Sequence, residues 1–381
     1  MNKIANGIYL LSLSLYLIMS FWSQTFLPAI FEGKINVAVL LVCLSLLFIK
    51  EVIYVKISIR TALIAFFMFL LGIISIYIFP SHKMLLVTMF YIFSARNVEY
   101  KKILDLSLLL SVAFLVIVVV CSAVGVIYDV VSLDLIAERE RHYLGFRYVL
   151  IPAAMWSNII SLWMIKNREC FKWKEVFILA LINQILFEYL NARLVYCLVY
   201  MNLFAVVVLK TRLNKILYSF WVRKLLLYAM PIACIFSFYV TVNYNQTDPF
   251  QYLINFLLEE RLSLGQDALQ TYGWPILGAP IVWIGGGLDE NGFQATAAYN
   301  FVDCAYIQLL LDYGFVTLAV FIYSIFKFLQ NMERRNEIVV MIVFGILAIH
   351  SIIDDATIAL QFNTCLLFLG SLIPSKSKFE I

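Results

Sequence analysis

Charged residues are scarce in this chain of 381 residues: Asp, Glu, Lys and Arg make up 14% of it, whereas hydrophobic residues make up 63%. So few polar side chains cannot cover the surface of a water-soluble globular domain, and that class is therefore excluded. We expect no nucleic-acid partner. The composition predicts an all-α polytopic protein whose main partner is the lipid bilayer.

The chain also lacks the motifs of disulfide, metal and nucleotide sites. Its seven cysteines show no paired spacing, which indicates neither a disulfide framework nor a zinc site. The glycines of "GWPILGAPIVWIGGGLDENGFQ" are not followed by Gly-Lys-Ser/Thr, so this segment is not a phosphate-binding loop. We therefore expect no metal and no cofactor. The first apolar run has no small-residue cleavage site after it, and we expect it to be retained as a span.

Long apolar runs are abundant instead. A spanning helix needs roughly 20 mostly apolar residues, and about twelve runs approach that length. The predicted spans cover residues 6–23, 36–49, 61–79, 83–95, 103–128, 145–165, 175–190, 194–209, 225–243, 303–326, 337–353 and 356–373. Because most connections are short, residues 1–381 are predicted to form a single transmembrane domain of antiparallel helices.

The distribution of basic residues predicts the orientation of these spans. If both termini are cytoplasmic, the inner segments carry 21 of the 28 Lys and Arg residues. Cytoplasmic loops are enriched in Lys and Arg, so the twelve-span arrangement with both ends inside follows this rule at every inner loop.

Seven basic residues remain on the predicted outer side, and five of them are arginines. They are Lys34, Lys83, Arg139, Arg141, Arg147, Arg193 and Arg261. A guanidinium group binds phosphate or carboxylate through two parallel hydrogen bonds, so the outer side is predicted to hold an anion. Alternatively, some of these arginines pair with acidic neighbours in the same loops.

Two of the outer segments concentrate this charge. In "ERERHYLGFR", residues 138–147, six of ten residues can carry a charge. Arg193 lies between two apolar runs, where an arginine is costly unless it snorkels to the interface or has a partner. Both segments are candidates for one anion site.

Residues 244–302 form a large outer loop between the ninth and tenth spans. Its first part reads as helical, because Asp248 can cap a helix, Pro249 suits the first helical position and Gly273 can end it. The apolar face of this helix is predicted to lie on the bundle or in the membrane interface. The glycine-rich part that follows is predicted to be irregular and mobile, either a lid or a flexible connection.

Acidic residues mark the return of the chain into the membrane in "YNFVDCAYIQLLLDYG". At helical spacing Asp303, Tyr306 and Leu310 share a face. Asp303 is either a general base or a helix N-cap, and we prefer the first interpretation. For Asp312 we expect a structural hydrogen bond to a neighbouring helix. The polar residues of "HSIIDDATIALQFN" are expected to be structural, since a hairpin turn requires them.

Four segments, taken in their order and predicted outer location, carry a common resemblance. They are "RHYLGFRYVLIPAAMWSN" with Arg141, His142, Gly145, Phe146 and Asn158; "YLNARLVYCLVY" with Ala192 and Arg193; "EERLSLGQDALQTYGWPILGAP" with Arg261, Tyr272 and Gly278; and "YNFVDCAYIQLLLDYGFVTL" with Asp303, Tyr306 and Gly314. Together they resemble the bacterial O-antigen and capsular polysaccharide polymerases, whose relatives include the O-antigen ligases. The segment from His350 to Asn363 fits less specifically.

The resemblance implies a GT-C-like glycosyltransferase in the bacterial cytoplasmic membrane. It would join oligosaccharide repeat units carried on undecaprenyl diphosphate at the outer face, with a partner protein that regulates chain length. Arg141, Arg147, Arg193 and Arg261 are the implied diphosphate-binding residues, and Tyr306 and His350 join the substrate-binding set. His142 and Asp303 are the candidate catalytic bases, with Asp303 preferred.

Two alternatives stay open. The ligases have a histidine-asparagine pair where this chain has Asp303 and Cys304, which favours a polymerase over a ligase. A lipid-linked oligosaccharide flippase or another transporter also has about twelve spans, but it is expected to place ionisable groups near the bilayer midplane, often beside paired broken helices. Here Asp312 is almost the only deep one, and no internal repeat is evident.

Overall fold

The computed structural model describes residues 3–28, 33–134, 139–289 and 291–374. This part of the chain is mostly α-helical. The helices are α1 Lys3–Trp22, α2 Gly33–Ile49, α3 Ile59–Ile78, α4 Lys83–Ala95, α5 Tyr100–Ala123, α6 Ile151–Lys166, α7 Trp173–Leu190, α8 Arg193–Lys210, α9 Asn214–Leu217, α10 Phe220–Val242, α11 Pro249–Leu257, α12 Arg261–Tyr272, α13 Ala305–Arg334 and α14 Ile338–Ile353. An antiparallel hairpin, β1 Val131–Asp134 and β2 Arg139–His142, pairs Val131 with His142.

Helix α14 lies near the centre of the bundle, and almost every one of its residues is buried. It packs against α6, α8, α10 and α13. Helix α6 is buried on all its faces from Ile151 to Ile165. A helix that is apolar all round belongs inside a bundle, whereas α2, α3 and α5 expose large apolar side chains on their outward faces.

Within the described residues, seven helices are long and apolar enough to cross a membrane. They are α1, α2 with its continuation to Tyr54, α3, α5, α8, α10 and α13. The prediction of an all-α, multi-pass membrane protein agrees with this architecture. The other predicted spans coincide with the shorter helices α4, α6 and α14, with the more polar α7, and with residues 356–373. The count of twelve spans stays a prediction.

The expectation that residues 356–373 form one continuous spanning α-helix is wrong. This segment contains two 3₁₀ helices, Ala356–Ile358 and Thr364–Leu372, and it packs against α4 and α13. The amide of Asn363 donates to the carbonyl of Thr357 at 2.8 Å, and Asn158 Oδ1 accepts from the backbone N–H of Thr364 at 3.3 Å. Side chains that bond to the backbone in this way compete with an α-helix, which explains the interruption.

The tenth predicted span is a broken helix. Gly314 has φ 84° and divides α13 into two parts. The extended segment 275–279 runs along the break: the N–H groups of Phe315 and Val316 donate to the carbonyls of Pro275 and Ile276 at 2.9 and 3.2 Å. These bonds satisfy backbone groups that the break leaves without helical partners. Part of the glycine-rich segment is therefore built into the bundle.

Replacing Gly314 with alanine is expected to lower the free energy of unfolding by roughly 2–3 kcal/mol, because it combines an unfavourable φ with overpacking. A Cβ atom there would lie 2.3 Å from the Ile276 carbonyl oxygen. Denaturant titration in mixed micelles measures this change. Gly287→Ala is the matched control, since nothing lies within 4 Å of a Cβ at that position. Equal stability of the two variants would contradict the assigned packing.

A buried charge cluster holds α2 against α4. The ammonium of Lys50 lies 2.8 Å from Glu51 Oε1, the guanidinium of Arg96 bonds to Glu51 Oε2, and all three side chains are at most 5% exposed. A π-helical turn, Lys50–Tyr54, places the first two side chains here. Lys50 and Arg96 are among the 21 basic residues of the predicted inner segments. The structure shows that they also carry a structural ion-pair network.

Candidate functional site

A cavity of about 540 Å³ opens where α8, α12 and the end of α14 meet the β-hairpin. It lies at the predicted outer end of the bundle. Its lining residues are Arg141, Leu150, Ala192, Arg193, Leu194, Val195, Phe256, Leu257, Glu259, Glu260, Arg261, Ile353 and Asp354. Three of the four predicted diphosphate-binding arginines are among them. The lining combines charged with apolar side chains.

Arg261 is the most enclosed of these arginines. It is the first residue of α12, and its side chain is 8% exposed. Its Nε lies 3.5 Å from Asp303 Oδ2, yet Nε and Nη1 are buried without a hydrogen-bond partner among the described residues. Buried polar groups normally find a partner. Both nitrogens are closed off from solvent in this structure, so they can bond to an anion in the cavity only after neighbouring side chains move.

Arg193 and Arg141 approach the same cavity from other elements. Asn191 ends α7 in the left-handed conformation with φ 50°, and this tight turn places Arg193 at the start of α8, where it is exposed. On strand β2, Arg141 Nη2 lies 3.0 Å from Glu259 Oε1. The Nε of Arg141 is buried and, within the described ranges, has no hydrogen-bond partner. The two arginines thus bring the number of guanidinium groups in the lining to three.

Asp303 lies beside Arg261, just before α13. The hydroxyl of Tyr299 donates to its Oδ2 at 3.4 Å. Burial raises the pKa of Asp303 to about 6, although Arg261 opposes the shift, while the carboxylates of Asp354 and Glu259 add to it. A carboxylate with a pKa near 6 is mostly ionised at neutral pH and is basic enough to accept a proton.

The prediction that Asp303 and Tyr306 share a face is wrong. Cys304 is the N-cap of α13, so Asp303 precedes the helix and the helical spacing does not apply to it. The hydroxyl of Tyr306 donates to the carbonyl of Ala348 at 2.9 Å in the fully buried contact with α14. Tyr306 is a core residue in this structure and lies outside the cavity lining.

Three further predicted site residues do not line the cavity. The ring of His142 pairs with Asp129 Oδ2 at 2.7 Å, and Arg147 Nε donates to the carbonyl of Thr25 at 2.9 Å. His350 is buried, with Nε2 at 3.5 Å from Asp354 Oδ2. Asp303 is not among the lining residues either, but it contacts the lining residue Arg261, whereas His142 contacts Asp129. The geometry therefore favours Asp303 over His142 as the candidate base, and His350 lies close to the lining carboxylate of Asp354.

Residue patterns alone did not identify Tyr299, Phe256 or Leu257 as parts of the site. Tyr299 lies in the irregular part of the outer loop, where no periodicity predicts a direction for its side chain. Phe256 and Leu257 lie at the end of α11. This helix has the predicted N-cap, because Asp248 Oδ1 accepts hydrogen bonds from the N–H groups of Phe250 and Gln251. The predicted helix ends at Leu257, however, and a turn separates it from α12.

A second polar group lies deeper, beside the break in α13. Asp312 Oδ1 accepts from the indole N–H of Trp283 at 2.8 Å and lies 3.7 Å from His82 Nε2. The expected hydrogen bond of Asp312 is present, but its donor belongs to the outer loop instead of a neighbouring helix. The side chain of His82 is buried as well.

The fold and the site together define a helical membrane protein with a charged, partly apolar cavity at one end of its bundle. Comparison with family models, with curated proteins and with solved structures finds no match to this chain.

Proposed function

We propose that this protein is a polysaccharide polymerase that joins oligosaccharide repeat units carried on undecaprenyl diphosphate. It acts at the outer face of the bacterial cytoplasmic membrane, in O-antigen or capsule biosynthesis. The proposal includes a GT-C-like arrangement of twelve spans, both termini in the cytoplasm, and a partner protein that regulates chain length.

The observation that carries the proposal is the convergence of Arg141, Arg193 and Arg261 on one cavity. These residues come from a hairpin, a helical turn and the outer loop, and they are far apart in the sequence. The lining also contains Leu194, Phe256 and other apolar residues. A lipid diphosphate combines a multiply charged head with a hydrocarbon chain, so both kinds of lining residue have a matching part in such a ligand.

The proposed reaction uses Asp303 as its base. A hydroxyl oxygen of the acceptor sugar attacks the anomeric carbon of the donor glycan and forms the new glycosidic bond. The bond from that carbon to the diphosphate oxygen breaks, and its electron pair leaves with the diphosphate. The hydroxyl proton passes to the Asp303 carboxylate, while the arginines stabilise the negative charge on the leaving group. No redox partner is needed, because every electron pair stays within this transfer.

The proposal is tested with the purified full-length protein in detergent and a synthetic undecaprenyl-diphosphate repeat unit, without nucleotide or added metal. We expect a ladder of longer glycans. If the cognate unit gives no ladder, yet vesicles containing the protein move the unit between leaflets, the protein is a transporter. Transfer of the glycan to a lipid A core in place of a repeat unit would identify a ligase.

The pH dependence of glycan extension is expected to follow Asp303. Its carboxylate must be ionised to accept a proton, so activity should be full at pH 7.5 and fall as the pH drops through about 6. Initial rates of ladder formation between pH 5 and 8 measure this limb. In His142→Gln the limb should persist, whereas the residual activity of Asp303→Asn should lack it. The reverse pattern would identify His142 as the base.

One observation favours the transporter as a second candidate. The break of α13 at Gly314 lies two residues from buried Asp312, which is 3.7 Å from the ring of His82. Transporters place ionisable groups beside broken helices, although usually in pairs. The polymerase is preferred because the three arginines line the outer cavity and not this deeper position.

A further inference from the structure

The charges on the cavity wall balance one another. Its described lining residues include three guanidinium groups, on Arg141, Arg193 and Arg261, and three carboxylates, on Glu259, Glu260 and Asp354. A diphosphate brings several negative charges into this space. Since like charges repel strongly at short range, at least one carboxylate must withdraw if the arginines are to bind the anion.

Exposure and pairing together indicate which carboxylate can withdraw: Glu259 and Glu260 are both exposed, and Glu259 is the one that pairs with a lining arginine. Asp354 is 8% exposed and lies 3.5 Å from buried His350, so its position is constrained by the bundle. The side chain of Glu259 is 44% exposed and lies at the cavity rim. It meets Arg141 Nη2 at 3.0 Å, so it occupies a guanidinium that an anionic ligand would use.

The turn that carries Glu259 is itself unusual. Glu259 and Glu260 have φ angles of 55° and 63°, so two consecutive non-glycine residues adopt the left-handed conformation. Each such residue costs of order 1 kcal/mol or more, and such residues concentrate at ligand-binding and switch regions. Asn255 holds the turn, because its Oδ1 accepts from the N–H groups of Leu262 and Ser263. The turn thus has a side chain that fixes its backbone, while the Glu259 side chain is partly exposed.

We propose that Glu259 is a competing carboxylate that pairs with Arg141 and is displaced from it by the diphosphate head of the ligand. This inference rests on the proposed function for the identity of the anion. It makes Glu259 a specificity-determining residue: a ligand with a single weak charge gains less from Arg141 than it loses by displacing the carboxylate. A diphosphate, with two charged groups, can displace it.

The test measures binding of farnesyl diphosphate, a short isoprenoid diphosphate, to the full-length protein in detergent at fixed ionic strength. Glu259→Gln should tighten binding about 5- to 10-fold, because it removes the competitor and the repulsion together. Glu260→Gln is the matched comparison: Glu260 also lines the cavity but does not pair with Arg141, so the substitution relieves only the repulsion and its effect should stay below about 2-fold. Farnesol, which lacks the charge, should bind equally to all variants.

A double-mutant cycle with Arg141→Gln gives the second measurement. In that background Glu259→Gln should no longer tighten binding, because the pair is already broken. The proposal is overturned if Glu259→Gln weakens binding, matches Glu260→Gln, or acts equally with and without Arg141. It is also overturned if no variant binds the probe.

Glycan extension is measured in a separate assay. The polymerase proposal and the proposal for Glu259 can therefore be rejected independently of each other. A glycan ladder together with unchanged affinities would reject the role of Glu259 and keep the polymerase. Tighter binding in Glu259→Gln without any glycan ladder would support the role of Glu259 and reject the polymerase.

Discussion

Arg261→Ala is expected to reduce the rate of glycan extension at least 100-fold, which corresponds to about 2.7 kcal/mol of lost transition-state stabilisation. Two effects combine in this substitution. It removes one of the three guanidinium groups of the cavity lining, and it removes the cation that lies 3.5 Å from Asp303. Because Arg261 opposes the upward shift of the Asp303 pKa, its loss should also move the acidic limb of the pH profile to higher pH.

Initial rates with the lipid-linked repeat unit measure the first effect, and the pH profile measures the second. Arg261→Lys should recover only part of the rate, since an ammonium keeps the positive charge but cannot donate the two parallel hydrogen bonds of a planar guanidinium. Arg212→Ala removes an exposed arginine beyond the far end of α8 and should leave the rate unchanged.

Loss of Arg261 also removes the cation that pairs with the largely buried carboxylate of Asp303, so we expect this variant to be less stable. Arg193→Ala separates folding from function, because Arg193 is exposed and its truncation leaves no buried charge behind. We expect it to slow extension while the melting temperature stays within about 2 °C of the wild type. Full activity in both folded variants would reject the lining arginines as the anion site.

Glu51→Gln is expected to lower the free energy of unfolding by roughly 3–5 kcal/mol. The carboxylate of Glu51 is the ion-pair partner of both Lys50 and Arg96, whose side chains are 0% and 1% exposed. A glutamine keeps the shape but removes the negative charge. Two cations would then be buried close together, and Arg96 cannot lose its proton to relieve the repulsion.

Two control variants make this prediction specific, and denaturant titration in mixed micelles measures all three. Glu99→Gln breaks an exposed pair with Lys102, 2.9 Å long, and should cost at most about 1 kcal/mol. Lys50→Met should cost less than Glu51→Gln, because Arg96 and Glu51 then remain as a neutral pair. A Glu51→Gln variant no less stable than Glu99→Gln would contradict a structural role for the cluster.

Hydrophobic runs determined the membrane class because a span is a local property: a helix satisfies its own backbone groups, and its apolar length can be counted along the sequence. The same local rules located the caps of the outer loop at Asp248 and Gly273. They failed over residues 356–373, where Asn158 Oδ1 accepts hydrogen bonds from the backbone N–H and the hydroxyl of Thr364 across the bundle. Composition contains no information about such long-range bonds.

The sequence by itself determined that arginines concentrate at one predicted side of the protein, and it named Arg141, Arg193 and Arg261 among them. Only the tertiary structure decided that these three share a cavity, while His142, Arg147 and Tyr306 lie outside its lining. The physical reason is that a charge is attached to a residue, whereas proximity depends on how separate helices pack. Asp303 lies 3.5 Å from Arg261 because the outer loop folds back onto the start of α13. No local sequence pattern specifies that contact.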